Sequence, residues 1–215
     1  MKKIVFLMGK NGAGKDDQKG KFLSVAGRTE SYEEVAVGSI LRKEVDGQTE
    51  LGKIAKSYMD EGKLLPDELV NEMAVKSIME SDKIGLLNGF PRTIGQLEYL
   101  CDKEIYPDMV IIFEVPDEEI VQRAKNRRVC KKCGETYTVS DYKPPKVPGK
   151  CDKCGGELYT RDDDKTESIQ NRLVVYRKST APLIDFYKEK GNLVDIDARP
   201  APEKVLEEIE SKFKK

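Results

Sequence analysis

The apolar run Ile4-Val5-Phe6-Leu7-Met8 leads directly into Gly9-Lys10-Asn11-Gly12-Ala13-Gly14-Lys15. A short buried strand emptying into such a loop is the first half of a phosphate cradle. Glycines let backbone N–H groups turn inward around an anion, a following helix presents its positive end, and Lys15 reaches the outer phosphates. A glycine-rich turn can also be purely structural, but the strand, the spacing and the Gly-Lys ending together favour phosphate. The loop then departs from its own pattern. Ser or Thr is wanted after the lysine to help hold Mg²⁺, and here stand Asp16 and Asp17.

At 215 residues the chain suits one α/β domain with insertions rather than two independent domains. Lys plus Arg number 38 against 39 Asp plus Glu, so no blanket attraction to nucleic acid or membrane is expected. No apolar run approaches a transmembrane length, and Met1-Lys2-Lys3 leads into a strand too short for a signal-peptide core. A cytoplasmic location is expected. The chain has no histidine, which favours chemistry that needs neither a His base nor a His ligand.

Four of the five cysteines fall as Cys130-x2-Cys133 and Cys151-x2-Cys154, each pair followed by glycine. This spacing points to zinc, and four protein ligands leave no open position, so the metal is expected to be structural. Two disulfides or a redox pair compete with that reading and fit a cytoplasmic protein less well. Cys101 reads as a small buried hydrophobe.

Apolar runs at 4–8, 35–37, 84–87, 109–115 and 193–196 read as short buried strands separated by helical periodicity, which implies a parallel sheet covered on both faces. Helices open at Pro66-Asp67-Glu68 and at Pro116-Asp117-Glu118-Glu119, with proline and acids in the first turn. A long helix over 165–190 should kink at Pro182, and a last one spans 201–213. Between Val129 and about Thr160 the chain is poor in core residues. It reads as a small inserted lid that the four cysteines staple.

Arg42, Arg92, Arg123, Arg127, Arg161 and Arg172 form the next informative set. Each alone is an ordinary surface charge. Phosphoryl transfer, however, relies on cations around the transferring group, and guanidinium forks suit phosphate oxygens.

Gly9 to Lys15, then Gly89-Phe90-Pro91-Arg92-Thr93 with Gln96, then Arg161-Asp162-Asp163-Asp164 resemble the adenylate kinases with a zinc-bearing lid. Gly62-Lys63-Leu64-Leu65-Pro66-Asp67-Glu68, Asn171-Arg172-Leu173 and Thr180-Ala181-Pro182 fit the same family, so the resemblance covers nearly the whole chain. It implies a P-loop α/β/α three-layer core around a parallel five-stranded sheet, with an NMP-binding flap at 36–65 and a lid at 126–164. The implied reaction is reversible transfer of a phosphoryl group from Mg-ATP to AMP, giving two ADP. Zn²⁺ in the lid and Mg²⁺ with ATP are the implied cofactors. ATP, AMP and ADP are the implied partners, with no nucleic acid or membrane; a monomer is expected, and oligomers stay open.

By the same resemblance, Lys15 and the amides of Gly12, Ala13 and Gly14 hold the ATP phosphates, with Asp16 and Asp17 beside them. Arg42 and Arg92 clamp the AMP phosphate; Gly89, Phe90 and Gln96 address the AMP base, and Val37, Lys63, Leu64 and Leu65 line its pocket. Arg123, Arg127, Arg161 and Arg172 gather on the transferring group. Thr136 and Tyr137 lie near the ATP adenosine and Arg199 beside its base, while Asp163 and Asp164 pair with arginines as the lid shuts. Cys130, Cys133, Cys151 and Cys154 hold the zinc.

Three departures from the family pattern fall together: Asp16-Asp17 for Gly-Thr, Asn88 for Asp, and Val37-Gly38-Ser39 for Thr-Gly-Asp. The first two add one net negative charge near the metal. At about 6 Å and an effective dielectric near 20, such a charge opposes one phosphate charge by roughly 3 kcal/mol. Either Asp16 or Asp17 takes over Mg²⁺ ligation and activity survives, or the carboxylates repel the triphosphate and the fold binds without catalysing. The expectation is a working kinase, because the arginine set is complete. A kinase with another nucleotide preference and a zinc-ribbon nucleic-acid binder are the remaining alternatives. Val37 removes a hydroxyl from the AMP pocket, so looser discrimination among monophosphates is expected.

Overall fold

A computed structural model describes residues 3–24, 31–80, 82–139, 143–161 and 164–213. In chain order, β1 (Ile4–Gly9), α1 (Lys15–Ser24), β2 (Tyr32–Ala36), α2 (Val37–Asp46), α3 (Glu50–Asp60), α4 (Asp67–Met79) and β3 (Ile84–Asn88) come first. Next are α5 (Ile94–Asp102), β4 (Met109–Glu114) and α6 (Asp117–Asn126), then a small unit of β5 (Arg127–Cys130), β6 (Thr136–Thr138) and β7 (Leu158–Tyr159). Then come α7 (Thr166–Val175), a π-helical turn (Tyr176–Thr180), α8 (Ala181–Glu189), β8 (Leu193–Asp197) and α9 (Pro202–Phe213).

The main sheet is parallel throughout, in the order β2-β3-β1-β4-β8. The continuous apolar run of β1 is explained by its place at the centre, where both faces are covered. Ile4, Phe6 and Met8 enter one core layer with Leu87, Ile112, Leu183 and Tyr187. Val5 and Leu7 enter the opposite layer with Leu86, Ile111 and Phe113. This is the three-layer α/β/α arrangement expected from the strand rhythm. Because the chain leaves β1 to build β2 and β3 on one side, and returns to build β4 and β8 on the other, the strand order reverses at β1. Ligands in such sheets sit at that switch point, beyond the carboxyl ends of the strands.

Two elements differ from the sequence pattern, each for a physical reason. The edge strand β2 runs Tyr32–Ala36 rather than 35–37, pairing Tyr32 with Ile84 and Ala36 with Asn88. Glu33 and Glu34 mask it from an apolar scan, and Val37 begins a helix instead. Pro182 does end the long C-terminal helix, through a π turn that sets it in the first turn of α8. Proline has no N–H to donate and its ring crowds the carbonyl four residues back, so widening the helix ahead of it relieves both problems.

The cysteine-bearing unit folds as a three-stranded antiparallel sheet, β6-β5-β7. All five cysteines are free thiols, and Cys101 is half-buried beside the first core layer. Among the described residues no helix is long and apolar enough to cross a membrane.

Gly9 shows how tightly the switch point is built. Its φ is +126°, and a Cβ there would lie 2.7 Å from the Phe113 carbonyl oxygen of β4. Gly20, within α1, has nothing within 4 Å of a Cβ. Denaturant unfolding of Gly9→Ala should therefore show a loss of about 1–3 kcal/mol, whereas Gly20→Ala should gain about 0.5–1 kcal/mol.

Candidate active site

The loop after β1 closes on itself before any ligand arrives. Gly12 and Gly14 take φ values of +91° and +93°, and the Lys15 ammonium folds back to donate to the carbonyls of Gly9 (2.7 Å) and Lys10 (2.8 Å). Lys15 is buried. Its burial, then the charge of Arg92 and that of Arg127, push its pKa down to about 7 against the opposing pull of Asp16. Ala13 is buried beneath the loop in the core layer that holds Phe113 and Ile120.

Above the loop lies a cleft of about 240 Å³. Of the loop-side candidates, Gly12, Gly14, Lys15, Asp16 and Asp17 line it. On the opposite wall stand Val37, Arg42, Lys63, Leu64, Leu65, Gly89, Phe90, Arg92 and Gln96. From the lid side and its supports come Arg123, Arg127, Thr136 and Arg172. Residues from most of the chain's length thus meet at the predicted switch point.

The arginines are held by backbone carbonyls and carboxylates that aim them. Arg92 donates through Nε to the Gly89 carbonyl at 2.7 Å, and Gly89 has room only for hydrogen, since a Cβ would lie 2.6 Å from the Arg92 guanidinium. Arg42 donates to Ser39 Oγ at 3.1 Å and Arg172 to the Met59 carbonyl at 3.3 Å. Burial, then the charges of Arg172 and Arg42, push the pKa of Arg92 down to about 10. Only guanidiniums gathered close together depress one another in this way. Arg127 makes a two-pronged contact with the fully buried Asp164 carboxylate.

Other candidates stand apart. Arg123 reaches the cleft but is tied to Glu119 (2.6 Å) and to the Ala198 carbonyl (2.7 Å). Arg161 does not line the cleft, and its Nε is buried with no hydrogen-bond partner among the described residues. Arg199 is exposed and chelates Asp197. Tyr137 lies inside the lid, where its hydroxyl accepts from the Asp152 amide at 2.8 Å and lies 3.4 Å from Cys151 Sγ. Lys63 is paired with Glu61 at the rim. Asp163 lies outside the described residues.

The two aspartates after Lys15 diverge. Asp16 is open to the cleft, and its Oδ1 accepts from the Asn88 amide at 2.6 Å. Crowding by protein opposes its ionisation, but Lys15, Lys19, the Asn88 amide and Arg42 outweigh that and hold its carboxyl below the usual range. Asn88 also donates to Glu34 (3.3 Å), which Lys19 neutralises at 2.6 Å. Two carboxylates could not both ionise at the Asp16–Asn88 distance. The amide at position 88 thus adds to Lys15 and Lys19 in favouring the charged form of Asp16. Asp17 turns towards the lid, where its Oδ1 receives Lys143 at 2.9 Å while Lys143 also holds Glu135 at 2.7 Å. Lys143, Glu34 and Lys19 were not foreseen; they carry no motif, and only the tertiary contacts reveal them.

In the lid, the sulfurs of Cys130, Cys133, Cys151 and Cys154 all lie within 4.8 Å of one another, with Cys130–Cys154 and Cys133–Cys151 both at 3.5 Å. Sulfurs placed tetrahedrally about 2.3 Å from one ion would be separated by about 3.8 Å, so the donor set and spacing fit a tetrahedral thiolate site. Gly134 and Gly155, at φ +74° and +69°, make the turns that bring each pair together.

Lys15 supplies a test of the cleft. With its pKa near 7 it is mostly neutral at pH 8, and an arriving phosphate restores the charge. Triphosphate binding at pH 8 should take up a proton at Lys15, and affinity should weaken as pH rises above about 7. Calorimetry in two buffers of different ionisation enthalpy measures that proton directly.

A family profile described as adenylate kinase matches residues 7–192. The chain is 48% identical to an adenylate kinase of Caldicellulosiruptor saccharolyticus, over 88% of this chain and 89% of that one. It is 44% identical to an adenylate kinase of Archaeoglobus fulgidus (99% and 98% covered) and 45% identical to one of Carboxydothermus hydrogenoformans (98% and 99% covered). Likeness of that depth over nearly the whole length of both chains shows that the chain belongs to the adenylate kinase family.

Proposed function

We propose that the cleft at the β1 switch point performs reversible phosphoryl transfer between Mg-ATP and AMP, with the donor on the glycine loop and the acceptor against the opposite wall. The supporting observation is the crowding of Arg92 by Arg42 and Arg172 beside Lys15. Cations held together against their mutual repulsion make a site that favours a polyanion. Lys15 and the amides of Gly12 to Lys15 take the ATP phosphates, Arg42 and Arg92 the acceptor phosphate, and Arg127 and Arg172 the group in transit. Arg161, with an unpartnered Nε, joins them as the lid descends, and Arg123 steadies the loop through its carbonyl contacts. Gln96, Gly89 and Phe90 meet the acceptor base, with Leu64, Leu65 and Val37 as apolar walls.

Residues 36–65 act as the acceptor flap and 126–164 as the lid. Closure excludes water, which would otherwise take the phosphoryl group. Thr136 borders the donor side. Tyr137 serves that side indirectly, by bracing the cysteine cluster, and Arg199 flanks the exit near the Ala198 carbonyl that Arg123 holds. The protein works as a monomer in the cytoplasm, without nucleic acid or membrane.

Mg²⁺ neutralises charge on the donor phosphates when bound. Asp16 fits it: the carboxylate is held ionised, faces the cleft, and has one oxygen left after Asn88 takes the other. Asp17, joined to Lys143, instead ties the loop helix to the lid. Replacing Asp16-Asp17 by Gly-Thr in the Asn88 background should lower turnover at least about tenfold, because the cleft-facing Asp16 carboxylate is lost and the nearby Glu34 is already paired with Lys19; a large gain in ADP formation would sink the relocated-ligand reading.

Zn²⁺ is the ion for the four thiolates, which hold the coreless lid together. One zinc per chain is the expected metal content. Cys151→Ala should lose it and lower turnover, while the denaturant midpoint of the sheet core, followed by far-UV signal, changes little.

A further inference from the structure

We propose that Asp67 sets the base preference of the acceptor site by fixing which way round the Gln96 amide stands. The inference rests on the reading of Gln96 as the residue that meets the acceptor base. Gln96 is almost wholly buried, yet it lines the cleft. Its Oε1 accepts from the Arg92 backbone N–H at 2.7 Å, and its Nε2 donates to Asp67 Oδ1 at 2.9 Å. A carboxylate can only accept and a backbone N–H can only donate, so both neighbours impose the same orientation on the amide. Turning it over would place two donors face to face at Arg92 and two acceptors face to face at Asp67.

Asp67 is itself fixed. It stands in the first turn of α4, and its other oxygen receives the Thr93 hydroxyl at 2.7 Å. Thr93 in turn caps α5 by accepting from the Gln96 amide N–H at 3.1 Å. Gly95 leaves room for this contact, since a Cβ there would lie 2.7 Å from Asp67 Oδ2.

The clamp uses one of the two Nε2 hydrogens and one of the two lone pairs of Oε1. One donor and one acceptor remain, in a fixed order. Adenine offers an acceptor at N1 and a donor at its 6-amino group. A 6-oxopurine offers the reverse, a donor at N1 and an acceptor at O6. An amide free to turn over would suit both, whereas a clamped one suits only one of them. With Val37 supplying no hydroxyl to the pocket, this amide carries polar discrimination between the two purine classes. Asp67 is thus a positioning residue that never touches substrate.

Steady-state kcat/KM with AMP and with IMP in the acceptor site provides the test. Asp67→Asn replaces an obligate acceptor by a group that can donate or accept, so Gln96 can turn over; the AMP-to-IMP ratio should fall at least about tenfold, mainly through KM. Thr93→Val removes the cap and one of the contacts that fix Asp67 but leaves Asp67 an obligate acceptor beside Gln96, so it should lower Tm and reduce the ratio less than Asp67→Asn does. An Asp67→Asn enzyme that keeps the wild-type ratio, or a Thr93→Val enzyme that loses more of it than Asp67→Asn does, overturns the clamp. Gln96→Ala separates the two layers of the argument: if it leaves the ratio intact the base is read elsewhere, and if it abolishes the ratio while Asp67→Asn does not, the clamp alone is wrong. Should Asp67→Asn fail to fold, side-chain amide exchange in the unaltered protein decides. One Gln96 Nε2 hydrogen should exchange slowly without ligand and both with AMP bound, and fast exchange of both without ligand refutes the proposal.

Discussion

The enclosure of several cations in one cleft, away from water, is the constraint around which this structure is arranged. Lys15, Arg42, Arg92 and Arg172 face one cleft, and the depressed pKa values of Lys15 and Arg92 record how much their enclosure disfavours the charge. A loose chain would let them part. The sheet prevents it: β1 is locked against β4 closely enough that Gly9 has no space for a Cβ, and the π turn pins Thr180 to the Arg92 carbonyl at 2.9 Å. The energy that holds like charges together comes from the apolar layers on either face of β1, remote from the chemistry. A polyphosphate in the cleft would offset the cost of enclosing these charges, so the site is complementary to such a ligand in charge.

The departures from the family pattern form a coupled set. Asp16 occupies a place where a carboxylate at position 88 would repel it, and Asn88 converts that clash into a 2.6 Å hydrogen bond. Lys19 neutralises Glu34 on the far side of the same amide. The simple count of one extra negative charge near the metal therefore overstates the penalty, because it ignores partners drawn from α1, β2 and β3. Asp17 is used differently: its link to Lys143 joins the helix after the phosphate loop to the lid.

Much of the architecture was legible beforehand because parallel strands buried on both faces leave continuous apolar runs, as at 4–8, 84–87 and 109–115. The edge strand was less legible: Glu33 and Glu34 sit on a margin where only pairing with β3 makes them strand. Cysteine spacing announced a four-sulfur cluster because ligand geometry leaves few choices of loop length. Tyr137 was the opposite case. It looks like a stacking aromatic in sequence, and only the lid's interior shows it bonded beside Cys151.

Local order alone therefore determined the glycine loop, the run of alternating elements, the metal-binding pairs and the number of available guanidiniums, because each depends on neighbours within a few residues. Tertiary structure decided which guanidiniums share a cleft, that Asp16 and Asp17 turn in different directions, and that a carboxylate at the start of α4 orients an amide on α5. Those outcomes join residues tens of positions apart, and hydrogen-bond donors and acceptors are assigned to one another only when the packed elements bring them within reach.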